Sequence, residues 1–226
     1  MRVLRILHKW LGLIVGLQLL LWTVSGLAFA WLDDADVAAE RAVRALPKRV
    51  LTPEVRLCEP DACLREHAKT AILDLTLMPL LDGWVYRVRF ADRVVLRRAD
   101  DGSLLELGEE HIRSLASATY VGGGPLKGVS FYAAPTLEAR EAGPVWRADF
   151  GDADGTSLYF SAADGRLVAA RNDTWRLFDV FWMLHTMDYR GRDDFNNPLV
   201  ILVSTGALWL AISGALLLFR AFRPAR

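Results

Sequence analysis

The sequence predicts an α+β fold: two transmembrane helices flank a domain outside the cytoplasm, built from two copies of a helix followed by an antiparallel meander. Three observations predict it. Two long stretches without Asp, Glu, Lys or Arg lie near the chain ends, basic residues sit on their outer flanks and acidic ones on their inner flanks, and the middle of the chain repeats itself.

Trp10 to Leu32 and Leu199 to Phe219 are 23 and 21 residues long. At about 1.5 Å per residue each is long enough to cross a hydrocarbon core of roughly 30 Å. A charged side chain at the bilayer centre costs about 2.5–3.5 kcal/mol on insertion scales, and neither stretch carries one. Arg2, Arg5 and Lys9 precede the first stretch, and Arg220, Arg223 and Arg226 close the chain. Without these six, the 27 basic and 27 acidic residues of the whole chain become 21 against 27, a net −6. Positive flanks stay in the cytoplasm, so both termini are expected there and the acidic middle outside. That charge pattern excludes a nucleic-acid surface. An alternative reading makes the first stretch a signal peptide cleaved after Ala28-Phe29-Ala30. Its length and its Trp10, Trp22 and Trp31 favour a retained span.

The organisation that follows is a cytoplasmic start (1–9), a first span (10–32), a first repeat (33–120), a second meander (121–173), an interfacial helix and connector (174–198), a second span (199–219) and a cytoplasmic tail (220–226). Small residues stud both spans, among them Gly12 and Gly16 in a GxxxG, Ser25, Gly26, Ser204, Gly206, Ser213 and Gly214. They suit close packing of the two helices on each other or of two copies in a homodimer.

The repeat is diverged but in register. Arg87 aligns with Arg147, Phe90 with Phe150, Asp92 with Asp152, and Asp101-Gly102 with Asp164-Gly165, the second copy being three residues longer at its first turn. Each copy reads as strand, hairpin, strand, then an Asp-Gly turn into a third short strand. Helices are expected before each meander, over Asp61 to Ala71 and Glu109 to Thr119, the latter opened by acidic residues that suit a helix N-terminus. "VGGGPLKG" from Val121 reads as a turn and lacks the context of a phosphate loop.

Cys58 and Cys63 are the only cysteines. In an oxidising compartment so close a pair favours a local disulfide, and a metal site, with His67 one helical turn on, is the alternative.

"RILHKWLGLIVG" with "LLLWTVSGLAF", the repeated meanders and "LHTMDYRGRDDFNNPLV" running into the last span together resemble the PepSY-associated transmembrane family of bacteria. The resemblance covers nearly the whole chain. It implies an inner-membrane protein with two periplasmic PepSY-like repeats, linked to iron uptake. Larger relatives are haem-containing reductases of ferric siderophores, some fused to flavin reductase domains. This chain departs from them in having two spans and no flavin or nicotinamide motif; two copies would rebuild a bundle of about four helices.

Four histidines are candidates for chemistry. His8 opens the first span within the motif that carries the resemblance, and is either an interfacial residue among lipid headgroups or an axial haem ligand. His185 shares one helical face with Trp175, Phe178 and Trp182. That face either rests at the bilayer interface or lines a haem edge. His8 and His185 would stand roughly 36 Å apart on an unbroken first span, too far to share one iron, so a haem would draw its second ligand from a partner copy. His67 and His111 read as surface residues. Two functions follow as expectations: an electron-transfer or reductase component using membrane haem, partnered by a flavin reductase or an iron-uptake protein, or a non-enzymatic anchored module that binds a peptide or partner protein or restrains a protease. No catalytic residue is identified, and no hydrolase or nucleotide motif is present.

Overall fold

The computed structural model describes residues 2–47, 49–60, 71–81, 83–140 and 143–222. The chain divides into two compact units, Ala35–Asp173 on the one hand and Met1–Asp34 with Thr174–Arg226 on the other. Its elements in order are α1 (Arg2–Trp31), α2 (Asp34–Val37), β1 (Asp74–Leu80), β2 (Gly83–Arg89), β3 (Val94–Arg98), β4 (Leu104–Leu105), α3 (Glu109–Thr119), β5 (Leu126–Tyr132), β6 (Val145–Phe150), β7 (Ser157–Ser161), β8 (Leu167–Arg171), α4 (Asp173–Thr186) and α5 (Pro198–Ala221).

The central unit holds two four-stranded antiparallel sheets, β1-β2-β3-β4 and β5-β6-β7-β8, each a simple meander. Their turns match as the sequence repeat requires. Gly102 and Gly165 have φ of +74° and +71°, a conformation nearly free for glycine and costly for other residues. Their amides donate to the carbonyls of Arg98 (3.0 Å) and Ser161 (2.8 Å) respectively. In the hairpin before, Phe90 N–H bonds Arg93 O and Phe150 N–H bonds Thr156 O, so the three extra residues are absorbed inside one equivalent turn. There the Asp152 carboxylate accepts from Thr156 N at 2.8 Å and from the Tyr120 hydroxyl at 2.8 Å. Burial alone would raise that carboxyl's pKa; hydrogen bonding from Thr156 and Tyr120 outweighs it, and the net direction is down.

Each sheet has one more strand than the sequence reading assigned. β1 and β5 pair along the outer side of β2 and β6. β5 begins inside "VGGGPLKG", where three glycines and a proline mask it, and it carries an irregularity between Leu126 and Gly128. Gly124, just before it, has a packing reason. A Cβ on Gly124 would lie 2.3 Å from the backbone nitrogen of Asp152, so this turn touches the first hairpin of the second sheet with no room for a side chain.

α3 has the bounds expected from sequence and buries Ile112, Leu115, Ala116 and Thr119 at helical spacing. Ile112, Leu115 and Ala116 join Leu80, Val85 and Leu96 of the first sheet and Ala148, Phe150, Leu158 and Phe160 of the second in one core. His111 is not idle on this surface: its Nδ1 accepts the N–H of Gly108 at 3.2 Å and caps the helix start. Residues 61–70, which carry most of the expected first helix together with Cys63 and His67, lie outside the described residues. Cys58 is disulfide-bonded.

The other unit is helical. α1 and α5 are long and apolar enough to cross a membrane, and only 17% and 11% of their most apolar windows are buried. Leu13, Ile14, Leu17, Leu202, Leu208 and Phe219 are all more than 60% exposed. A contiguous apolar surface of this extent is unusual for a chain whose only solvent is water. α1 also takes in the basic residues Arg2, Arg5 and Lys9, eight residues earlier than the apolar pattern alone begins.

Three contacts set the antiparallel register of the pair. Gly12 faces Leu210, Gly206 faces Val15, and His8 lies against Ser213 and Gly214. By that register the start of α5 stands level with about residue 23 of α1 at 1.5 Å per residue. The last turns of α1, to Trp31, therefore reach beyond α5, and α4 covers them. Phe29 meets Phe178, Trp182 and His185, with ring centroids 5.0, 6.1 and 5.3 Å away. Phe178, Trp182 and His185 of the aromatic face of α4 are thus packed on α1.

Candidate functional site: two serine-held histidines

His185 occupies the last turn of α4, where a helix leaves carbonyls without intrahelical partners. Three consecutive carbonyls are met there by side chains. Gln18 Nε2 donates to Leu184 O at 3.0 Å, Trp22 Nε1 to His185 O at 2.8 Å, and Asn197 Nδ2 to Thr186 O at 2.8 Å. Asn197 also accepts from Val200 N at 3.0 Å and so caps α5, with Pro198 in the first turn, where its missing N–H costs nothing. One asparagine ties the end of α4 to the start of α5.

Between these ends the charge-rich "DYRGRDD" folds on itself. Both Asp188 oxygens accept backbone N–H groups, Oδ1 from Arg190 and Gly191 and Oδ2 from Asp193 and Asp194, each at 3.1 Å. These bonds, led by that from Asp194, pull its pKa down to about 2. Met187 and Arg192 adopt positive φ, 56° and 60°, which bulky residues avoid unless their surroundings hold them. Arg192 is so held: its guanidinium pairs with the buried Asp179 and its carbonyl accepts from Trp182 Nε1 at 2.9 Å. The charges of this motif thus build a connector.

The imidazole of His185 is held by its Nδ1, 2.8 Å from Ser25 Oγ of α1, with Trp22 and Phe29 beside it. Ser25 is fully buried. At the other end of the pair His8 Nδ1 lies 2.7 Å from Ser213 Oγ of α5, also buried, with Trp209 at 6.4 Å between centroids. Gly214 leaves the space the His8 ring needs, since a Cβ there would come within 3.2 Å of His8 Cε1. Both imidazoles are half-buried, and among the described residues neither Nε2 has a hydrogen-bond partner.

Among the described residues the structure brings neither His8 nor His185 against another histidine. Seventeen residues of α1 separate His8 from Ser25, about 26 Å at 1.5 Å per residue. This corrects the roughly 36 Å expected from sequence, which placed His185 beyond the outer end of the first span. α4 instead folds back along α1, and His185 descends to the level of Trp22 and Ser25. His111 belongs to the central unit and is used as a cap. Among the described residues no three His, Cys, Asp or Glu side chains are grouped to hold a metal ion.

Sequence reasoning missed the partners. Ser25 and Ser213 read as small residues for close packing, and Gln18 as one polar residue in an apolar stretch. A signal was there: His8, Val15, Gln18, Trp22, Ser25 and Phe29 share the three-and-four spacing of a packed seam. Polar groups on such a seam inside an apolar helix need partners. Comparison with known proteins finds no match to a family, to a characterised protein or to a solved structure.

Proposed function

We propose that this chain is an electron-transfer component of a bacterial inner membrane, a PepSY-type protein that holds haem through His8 and His185 in a homodimer. One observation carries the reading: two half-buried imidazoles stand near opposite ends of an apolar helix pair, each held by Nδ1 and, among the described residues, without a hydrogen-bond partner at Nε2. Imidazole nitrogen is the commonest protein donor to haem iron, and aromatic neighbours suit a macrocycle's edge. Bound haem would supply reversible one-electron chemistry. The chain's own residues do the rest. His8 and His185 offer Nε2; Phe29, Trp22 and Trp209 exclude water around the rings; Ser25 and Ser213 fix ring orientation. Since neither level of the helix pair holds a second imidazole, a second copy provides it, and the homodimer makes a bundle of about four helices.

The charge pattern supports both termini in the cytoplasm and the unit Ala35–Asp173 in the periplasm. The resemblance seen in the sequence supports a ferric chelate such as a siderophore complex as acceptor and a flavin reductase as donor. A binding-module reading rests on a different feature, an apolar cavity of about 360 Å³ lined by Leu46, Pro47, Pro79, Leu81 and Leu115 in the central unit. Absorption spectroscopy separates the two. Protein purified from haem-replete cells is expected to show a reducible Soret and α-band pattern of bis-histidine haem, and His8→Ala and His185→Ala each to remove part of it. A colourless monomer would end the haem reading and leave the binding module.

A further inference from the structure

A neutral imidazole has one N–H and one lone pair, and which nitrogen bears which is set by the hydrogen bonds around it. Each serine here has a single hydroxyl proton. Ser25 Oγ lies 3.1 Å from Trp22 O, and Ser213 Oγ lies 3.1 Å from Leu210 O, in each case the carbonyl three residues earlier on its own helix. That is the usual outlet for a serine proton inside a helix. With the proton so placed, the oxygen meets Nδ1 with a lone pair, and the proton of the short contacts at 2.8 and 2.7 Å resides on histidine.

The opposite assignment fails on counting. If the serine donates to Nδ1, its carbonyl bond is given up and the histidine N–H moves to Nε2. There it has no acceptor among the described residues. The first assignment satisfies both protons at each site within the protein and the second satisfies one of two, and an unmet donor costs about 1–3 kcal/mol where water does not reach it. The device occurs twice with the roles of the helices exchanged. At one end α1 gives the serine and α4 the histidine; at the other α1 gives the histidine and α5 the serine.

We propose that Ser25 and Ser213 are positioning residues that lock His185 and His8 in the Nδ1–H tautomer and so leave the Nε2 lone pair as the ligand-forming nitrogen. The tautomer follows from geometry alone; its use rests on the haem reading above. Hydrogen bonding at the far nitrogen of a ligating histidine raises its basicity, and losing such a partner typically costs about 10–100-fold in affinity.

The full chain carries its own reference. The Gly108 N–H donates to His111 Nδ1, so that histidine must hold its proton on Nε2. Nitrogen-15 spectra of histidine-labelled, haem-free protein in nanodiscs, at alkaline pH where imidazole is neutral, read all of these directly. Resonances are assigned by single histidine replacements. His8 and His185 are expected to show a protonated Nδ1 and a bare Nε2, and His111 the reverse. Ser25→Ala should shift His185 alone toward the Nε2–H form, Ser213→Ala should do the same for His8, and Ser25→Thr, which keeps the hydroxyl, should restore the native pattern. Wild-type His8 and His185 with a protonated Nε2, or a Ser25→Ala variant with His185 unchanged, would overturn the proposal. In haem-loaded protein Ser25→Ala should weaken haem retention about 10–100-fold and raise the midpoint potential. A haem-free protein with the expected tautomers would defeat the haem reading alone; a haem protein with the opposite tautomers would defeat this one alone.

Discussion

Ser25 and His185 are 160 positions apart in the chain, and their side chains meet at 2.8 Å. The bond joins the C-terminal part of the first apolar helix to the last turn of the helix that follows the central unit. With Gln18 and Trp22 it makes the end of α4 depend on α1.

That dependence predicts a stability effect. Asn197→Ala removes the cap of α5 and the donor to Thr186 O in one step, and should destabilise the helical unit by about 1–3 kcal/mol. Gln18→Leu, which leaves Leu184 O without its donor, should act in the same range. Thermal unfolding in detergent, followed by tryptophan fluorescence of Trp22 and Trp182, measures both. Values near zero would mean that water replaces these donors.

The connector should be acid-resistant. The folded pKa of Asp188 is depressed to about 2, below its ordinary value near 4, so its contribution to stability is fully present above the ordinary value and is lost as pH falls through about 2. Resistance to cleavage between Asp188 and Asn197 by an acid-stable protease is expected to persist at pH 3. In Asp188→Asn, which accepts at one oxygen only, that segment should be cut readily at pH 3 and pH 7 alike. Equal resistance of the two proteins would remove the carboxylate from the argument.

The turn at Gly124 should tolerate no side chain. Gly124→Ala puts a Cβ 2.3 Å from a backbone nitrogen, so either the turn or the facing hairpin must move. A loss of more than about 1 kcal/mol is expected, as for other substitutions whose native backbone site excludes the new residue. Gly123→Ala, where a Cβ meets nothing within 4 Å, serves as the control.

The compartment is tested through its chemistry. Mass spectrometry after alkylation should find neither Cys58 nor Cys63 labelled unless the protein is first reduced. Free thiols in protein taken directly from cells would count against an oxidising location.

Topology is tested with reporter fusions at Arg226 and near Asp101, which should report opposite compartments. The N-terminus of the mature protein is the companion measurement. Cleavage after Ala30 would remove Gln18, Trp22, Ser25 and Phe29 together, and with them the partners of α4 described above. A mature chain beginning at Trp31 would therefore refute the two-histidine site along with the first span.

Several features were legible in the sequence because they depend on neighbours along the chain. Apolar length, basic flanks, the Asp-Gly turns and the bounds of α3 all follow from local spacing, charge or backbone preference. The repeat was visible through its turns, since Gly102 and Gly165 need the left-handed conformation wherever the strands go. The edge strands β1 and β5 were not, because pairing with β2 and β6 defines them and glycines or a proline blur their own pattern. The two histidines were visible as residues, but their meaning was not. Whether an imidazole rests on lipid or is held by one nitrogen depends on which side chain stands opposite. Ser25 and Ser213 come to stand there only when α4 folds back on α1 and α5 packs antiparallel to it. A hydrogen bond spans about 3 Å of space whatever the distance along the chain, and only the tertiary structure decides which residues come that close.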